Sequence, residues 1–143
     1  MAITNPALAK LLQMRSKITF FKGLTEDEIS DLIFNIRFQK FEHGEKLFEQ
    51  GDIKSKEIYY LLKGSLNLFI THNDEDKQIK VATLDTPTLF GEMRAFIEEP
   101  RTATAIAGED GAILITFLLK ESKETQAPVA FAKFYKNVIQ ELS

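Results

Sequence analysis

The apolar residues of this chain change their spacing twice, and these changes predict helices at both ends. From Pro6 to Ile18, leucines recur at a weak helical spacing. The second helix is better marked, because Thr25 and Glu28 form a Thr-x-x-Glu capping box before an apolar face that continues to about Asn35. The segment after Pro128 carries an apolar stripe at helical spacing: Phe131, Phe134, Tyr135, Val138, Ile139 and Leu142.

Between these ends, in residues 36–119, the apolar period becomes two, as in β-strands. Turn signals separate the apolar runs, among them Gly51-Asp52, Lys63-Gly64-Ser65 and Gly108-Glu109-Asp110-Gly111. The runs after the first, at 36–41, are residues 46–49, 58–62, 66–71, 79–84, 102–106 and 112–119. Short strands at this spacing predict a mainly β fold, an antiparallel β jelly roll (double-stranded β-helix) with flanking helices.

Composition narrows the class of protein. The chain has 143 residues and a net charge of −3, which suits one globular domain that does not bind nucleic acid through phosphate contacts. It has no cysteine, which excludes disulfides, cysteine-based zinc sites and thiol nucleophiles and fits a reducing compartment. We expect a cytoplasmic protein, since the sequence shows neither a signal peptide nor a membrane span.

Metal chemistry is not expected. His43 and His72 stand in predicted turns, and two histidines cannot supply the two or three His ligands and Glu of a cupin-type jelly-roll enzyme. The acidic run 74–76 is interpreted as a hairpin tip, because a calcium loop needs a central glycine that is missing here. We also find no nucleophile elbow, so catalysis is not predicted.

One interval, residues 90–105, departs from the strand pattern. After Gly91 the sequence suits a single helical turn, and Pro100 prevents its continuation. The first N–H groups of a helix lack partners within it, and together with the helix dipole they attract an anion. Gly91 would let that anion approach the backbone closely, and Arg101 would bring a guanidinium fork to it.

A carboxylate on the same turn adds a second kind of contact. Glu92 does not suit direct binding of a phosphate, but it would accept hydrogen bonds from a sugar hydroxyl. Thr102, Ala103 and Ala105 are small and leave volume beside the arginine. Phosphate donors and a hydroxyl acceptor in one place describe a nucleotide whose ribose hydroxyl is free.

The motif Phe90-Gly91-Glu92-Met93 followed by Pro100-Arg101-Thr102-Ala103 resembles the phosphate-binding cassette of the cyclic nucleotide-binding domain family. The similarity extends from about Phe20 to Leu142. It implies that Arg101 holds the exocyclic oxygens of a 3′,5′-cyclic phosphate and that Glu92 binds the ribose 2′-hydroxyl. Backbone N–H groups near Met93 and Arg94 would complete the phosphate contacts, and strand 81–84 would line the base.

The resemblance also implies a domain plan and a ligand. Residues 1–143 would form one domain: a helical segment at 1–35, a jelly roll at 36–119 containing the cassette at 90–103, and a lid helix within 120–143. The ligand would be cyclic AMP, ahead of cyclic GMP, and no catalytic cofactor is implied. The implied ligand-binding residues are Ala82, Leu84, Phe90, Gly91, Glu92, Met93, Arg94, Arg101, Thr102 and Ala103.

Three alternatives stay open at this point. Arg101 alone would be a surface arginine paired with Glu98 or Glu99. The aromatic stripe of the last helix would be core packing rather than a lid over the base. Arg94 stands where the family usually has a small residue, and a degenerate domain that has lost its ligand would serve as a protein interaction module.

The output of such a sensor is expected to lie outside this sequence. The chain ends at Ser143, directly after the predicted lid helix, and leaves no residues for a DNA-binding, kinase or channel domain. We therefore expect a non-enzymatic cyclic nucleotide receptor that signals to an effector protein or by self-association. A homodimer through the C-terminal helix is one such arrangement, and neither DNA nor a membrane is expected as a partner.

Overall fold

A computed structural model describes residues 6–72, 77–91, 99–120 and 128–142 of the chain. The helices are α1 (Pro6–Gln13), two 3-10 turns (Arg15–Lys17 and Thr19–Phe21), α2 (Glu26–Leu32) and α3 (Pro128–Leu142). The strands are β1 (Ile33–Phe41), β2 (Lys46–Phe48), β3 (Ile58–Thr71), β4 (Gln78–Leu84), β5 (Thr88–Phe90) and β6 (Thr104–Leu119).

The described strands belong to one sheet with the order β1-β6-β3-β4, in which β2 also pairs with β6 and β5 with β3. The β2–β6, β3–β4 and β3–β5 pairs are antiparallel. Helices precede this sheet and a C-terminal helix follows it. The predicted fold class, a mainly antiparallel jelly roll flanked by helices, is thereby confirmed.

Several predicted boundaries were wrong. Helix α1 ends at Gln13 and is followed by 3-10 turns, whereas a helix to Ile18 was expected. Helix α2 ends at Leu32 rather than near Asn35, because the β-branched Ile33 already adopts an extended conformation (φ −96°, ψ 124°). Strand β5 was not predicted at all.

The turn signals at Lys63-Gly64-Ser65 and Gly108-Glu109-Asp110-Gly111 lie inside continuous strands. Gly64 is within β3 and Gly111 within β6, each with a positive φ, of 89° and 73°. A Cβ atom on Gly64 would collide with the backbone oxygen of Gly111, so the two chain segments touch through their backbones. Glycine therefore bends the strands here without ending them.

The chain forms two compact units, one of residues up to 37 together with those from 117 onward, and one of residues 38–116. In the second unit, buried side chains from β2, β3, β5 and β6 form the core: Phe48, Tyr59, Leu61, Leu66, Phe90, Ala105, Ala107, Ala112 and Leu114.

In the first unit, α3 is fixed to the N-terminal helical segment. Phe134 is fully buried, with its ring centroid 6.0 Å from that of Phe20 and 5.8 Å from that of Phe21. The Asn137 side-chain amide donates to the carbonyls of Phe20 and Lys22, both at 2.9 Å. The predicted stripe therefore divides into a buried side, with Phe134 and Val138, and an exposed side, with Tyr135 and Ile139; the side chain of Leu142 lies outside the described residues.

Glu28 stabilises this unit in two ways. Its carboxylate accepts the Thr25 backbone N–H at 2.9 Å, which completes the predicted capping box, and it pairs with Lys133 of α3 at 2.8 Å. The hydrogen bond from Lys133, followed by that from the Thr25 backbone, lowers the pKa of Glu28 below its usual 4.5.

This pairing predicts a pH-dependent contribution to stability. A lowered carboxyl pKa stabilises the fold above the unfolded-state pKa of about 4.5, and that stabilisation is lost as the pH falls through the lower folded value. We expect Lys133→Met to move the pKa of Glu28, followed by carboxyl ¹³C NMR, back toward its usual value. Identical titration of Glu28 in both proteins would contradict the pairing.

Candidate functional site

The predicted cassette is described at its two flanks. Gly91 stands directly after β5, and Arg101 stands just before β6. Residues 92–98 lie outside the described residues, so the predictions for Glu92, Met93 and Arg94 are not addressed by this structure. Gly91 has a positive φ of 78°, a conformation that glycine adopts without strain.

Arg101 is a buried cation with only 5% of its surface exposed, which excludes a surface arginine. Its Nη2 donates to the hydroxyl of Ser55 at 2.9 Å and to the carbonyl of Glu57 at 2.8 Å. Its Nη1 donates to the carbonyl of Gly91 at 3.3 Å. Among the described residues, no acceptor lies within hydrogen-bond distance of its buried Nε. A buried charge needs acceptors like those of Nη1 and Nη2, because desolvation of an ion costs several kcal/mol in proteins.

Aromatic rings support the guanidinium. Its central carbon lies 4.4 Å from the centroid of the Phe48 ring and 5.7 Å from that of Tyr59. Tyr59 in turn stacks on Phe90, with centroids 5.1 Å apart and ring planes at 14°. A cation over an aromatic face is attracted by the ring quadrupole, most strongly where water is excluded. The rings therefore stabilise the charge and define its position.

Of the two predicted base-lining residues, Leu84 packs against the same core and Ala82 is half-buried. Ala82 is paired in register with Leu68, and Leu84 with Leu66. Leu66 is fully buried in the core cluster, while Leu68 and Leu84 pack against it. Phe90 belongs to that cluster, Thr102 is exposed and Ala103 is half-buried. Phe90, Gly91 and Arg101 are thus brought together, while Thr102 points to solvent.

The partners of Arg101 that the sequence did not reveal come from the loop before β3. Ser55 and Glu57 stand 46 and 44 residues before Arg101 in the chain. Their composition and spacing carry no signal for this contact. The Gly51-Asp52 turn was recognised as a turn, but not as a neighbour of the cassette arginine.

Metal ligands and membrane spans are absent from the part of the chain that the structure describes. Within residues 6–72, 77–91, 99–120 and 128–142, no three His, Cys, Asp or Glu side chains cluster as metal ligands would. No described helix has both the length and the apolar character needed to cross a bilayer.

The family model for the cyclic nucleotide-binding domain matches residues 38–118, more than half of the chain. The chain belongs to this family. The match covers the unit that contains Arg101 and its partners, and it confirms the resemblance carried by the Gly-Glu and Pro-Arg motif.

Individual members of the cyclic nucleotide-binding domain family agree with this assignment. The chain is 32% identical over 97 residues to the cyclic AMP receptor protein of Thermus thermophilus, covering 68% of this chain and 44% of that protein. It is 29% identical over 87 residues to the cAMP-dependent protein kinase regulatory subunit of Blastocladiella emersonii, covering 61% and 21%. The crystal structure of the Thermus thermophilus catabolite activator protein is similar with a TM-score of 0.63 and 26% identity, covering 87% and 58%. The chain therefore spans less than half the length of these two curated relatives.

Gly91 leaves the space that the Arg101 guanidinium fills. A Cβ atom at Gly91 would lie 2.8 Å from Nη1 of Arg101 and 3.3 Å from Cδ2 of Tyr59. Gly91→Ala should therefore lower the free energy of unfolding by about 1–2 kcal/mol, because alanine is strained in a left-handed conformation. The added Cβ atom should also displace the guanidinium. Denaturant unfolding and cyclic nucleotide titration would measure the two effects.

Gly44→Ala is the matched control for this substitution. Gly44 has a similar φ of 85°, but a Cβ atom there meets nothing within 4 Å. It should show the backbone cost alone, with unchanged ligand affinity. Equal affinity of the Gly91→Ala and Gly44→Ala proteins would contradict the assigned role of the space at Gly91.

Proposed function

We propose that this chain binds a 3′,5′-cyclic nucleotide, with cyclic AMP ahead of cyclic GMP, as a regulatory sensor rather than as an enzyme. The observation that carries the proposal is the buried guanidinium of Arg101, fixed by three protein acceptors above an aromatic floor. A fixed arginine fork is suited to the paired oxygens of a phosphate, because it loses little conformational freedom on binding.

The remaining ligand contacts follow from the cassette motif. In this proposal Glu92 accepts the ribose 2′-hydroxyl, and backbone N–H groups of Met93 and Arg94 contact the phosphate. Ala82 and Leu84 line the base from β4. The names of two relatives, a cyclic AMP receptor protein and a cAMP-dependent protein kinase regulatory subunit, support cyclic AMP as the first ligand to test.

A sensor must also transmit the occupancy of its site. We infer that α3, the predicted lid helix, does so by adopting two arrangements for which the ligand has different affinities. The receiver is an effector protein or a second copy of this chain, and neither DNA nor a membrane is needed. The absence of cysteine suits action in the reducing cytoplasm.

A second candidate function is an interaction module that no longer binds nucleotide. The observation in its favour is that the Arg101 guanidinium already donates to Ser55, Glu57 and Gly91. A second observation in its favour is the long, positively charged side chain of Arg94, at a position where the family usually has a small residue. In that case the domain would keep its fold while Arg94 fills the pocket.

One thermal-shift panel followed by calorimetric titration separates these functions. Cyclic AMP, cyclic GMP and 5′-AMP are added to the wild type and to Arg94→Ala. A sensor shows a rise in Tm with a cyclic nucleotide and none with 5′-AMP, because bound ligand stabilises the native state. No shift in the wild type at millimolar ligand contradicts the sensor function, and recovery in Arg94→Ala would then identify the obstruction. Conversion of a cyclic nucleotide to a 5′-monophosphate would contradict the non-enzymatic assignment.

A further inference from the structure

The loop that joins β2 to β3, residues 49–57, holds Arg101 by its backbone as well as by its side chain. The Gly51 N–H donates to the Arg101 carbonyl at 2.8 Å, and the Arg101 N–H donates to the Asp52 carbonyl at 2.9 Å. Nη2 of the same arginine then reaches the Ser55 hydroxyl and the Glu57 carbonyl. This loop therefore fixes the positions of both the backbone and the guanidinium of Arg101.

Ser55 occupies a special place in this arrangement because its hydroxyl has two charged neighbours. It lies 2.9 Å from Nη2 of Arg101 and 2.7 Å from Oε2 of Glu57. A guanidinium can only donate and an ionised carboxylate can only accept. The hydroxyl proton must therefore point at Glu57, which leaves the oxygen lone pairs facing Arg101.

The position of Ser55 is itself fixed by the loop. Oδ1 of Asp52 accepts the backbone N–H of Lys54 at 2.8 Å and that of Ser55 at 3.3 Å, an Asx turn that holds the serine beside the arginine. Lys54 and Lys56 are exposed on either side, whereas Ser55 is half-buried. The alternation directs the hydroxyl inward.

We propose that Ser55 is a positioning residue for Arg101. Its hydroxyl donates to the Glu57 carboxylate and accepts from the guanidinium, and this chain of two hydrogen bonds, the relay, orients the guanidinium fork before an anion arrives. This inference rests on the proposed cyclic nucleotide site, whose anion-binding group it orients. A polarised hydroxyl is a stronger acceptor than an isolated one, because hydrogen bonds in a chain strengthen one another. An arginine oriented in advance binds its ligand more tightly, since less freedom is lost on binding.

The test compares Ser55→Ala, which removes the relay, with Ser55→Thr, which keeps the hydroxyl. In the ligand-free proteins, ¹⁵N NMR follows hydrogen exchange at the Arg101 guanidinium. We expect faster exchange in Ser55→Ala and wild-type exchange in Ser55→Thr, because only the alanine frees Nη2 from one acceptor. Titration with cyclic AMP should show roughly tenfold weaker binding by Ser55→Ala and near wild-type binding by Ser55→Thr.

Thr116→Ala is the matched control. It removes a hydroxyl that donates to Oε1 of Gln39 at 2.6 Å in the same unit, between two residues that the proposed site does not use. It should change neither guanidinium exchange nor affinity. Unchanged Arg101 exchange in Ser55→Ala, or exchange in Ser55→Thr as fast as in Ser55→Ala, would overturn the relay. If the wild type binds no cyclic nucleotide, the proposed function fails, and the ligand-free exchange measurement still decides the role of Ser55.

Discussion

Arg101→Ala is expected to weaken cyclic nucleotide binding by about 2–5 kcal/mol, or roughly 30- to 5,000-fold. The proposed phosphate would remain in the pocket without its principal cation, and leaving one member of a buried charge pair alone is costly. The same substitution leaves the carbonyls of Glu57 and Gly91 without this donor, so we also expect a loss of fold stability of about 1–3 kcal/mol. Titration calorimetry and denaturant unfolding measure these effects separately.

Two further variants distinguish charge from geometry in this result. Arg101→Lys keeps the positive charge but has one nitrogen in place of the fork that now serves Ser55, Glu57 and Gly91, so an intermediate affinity is expected. Arg15→Ala removes a partly exposed arginine that pairs with Glu26 in the helical unit, and it should leave ligand binding unchanged. Wild-type affinity in a folded Arg101→Ala protein would exclude this arginine from the site.

The cassette could be located from sequence because its signal is local. Gly91 and Arg101 stand at a fixed separation, and Pro100 limits the helical turn that the sequence predicts between them. The burial of Arg101 and the identity of its hydrogen-bond acceptors could not be predicted in this way. Ser55 and Glu57 come from a loop more than forty residues earlier, and their contact with the arginine exists only after β3 and β6 have formed.

The sequence predicted which residues are extended, but not which extended runs join into one continuous strand. Period-two alternation shows that residues near Gly64 and Gly111 are extended, yet glycine is equally compatible with a tight turn and with a bend in a continuous strand. The close approach of Gly64 to the Gly111 backbone decides between the two, and that contact joins residues far apart in the chain. The prediction from turn composition therefore split β3 and β6 into shorter strands, whereas each is continuous in the structure.

The C-terminal helix shows the same limit of a local pattern. Its apolar residues cover two adjacent helix faces, and periodicity alone does not say which face meets a partner. The buried face carries Phe134 and Val138 and lies against the N-terminal helical segment, so packing is one role of the stripe. Tyr135 and Ile139 remain about half exposed, at 46% and 51%, on the other face. These exposed residues are available for the proposed transmission of ligand occupancy.

The packing of this helix predicts the largest change in stability. Phe134 is fully buried and its ring lies near those of Phe20 and Phe21. Phe134→Ala should destabilise the helical unit by about 3–5 kcal/mol, because it removes buried apolar surface and leaves a cavity. The polar contacts of α3, from Lys133 and Asn137, would remain to hold the helix but lie near the protein surface. We therefore expect loss of amide protection throughout α3 before the β-sheet unfolds.

Tyr135→Ala, at the next position, is the matched control for Phe134→Ala. It also removes an aromatic ring from α3, but that ring is 46% exposed and its described ring contact is with Phe131 of the same helix. Its cost should stay below about 1 kcal/mol, as for most surface substitutions. Far-UV circular dichroism in denaturant gives the stabilities, and hydrogen exchange assigns the loss to α3. Equal destabilisation by the two variants, or loss of protection in the sheet before α3, would show that Phe134 does not anchor this helix.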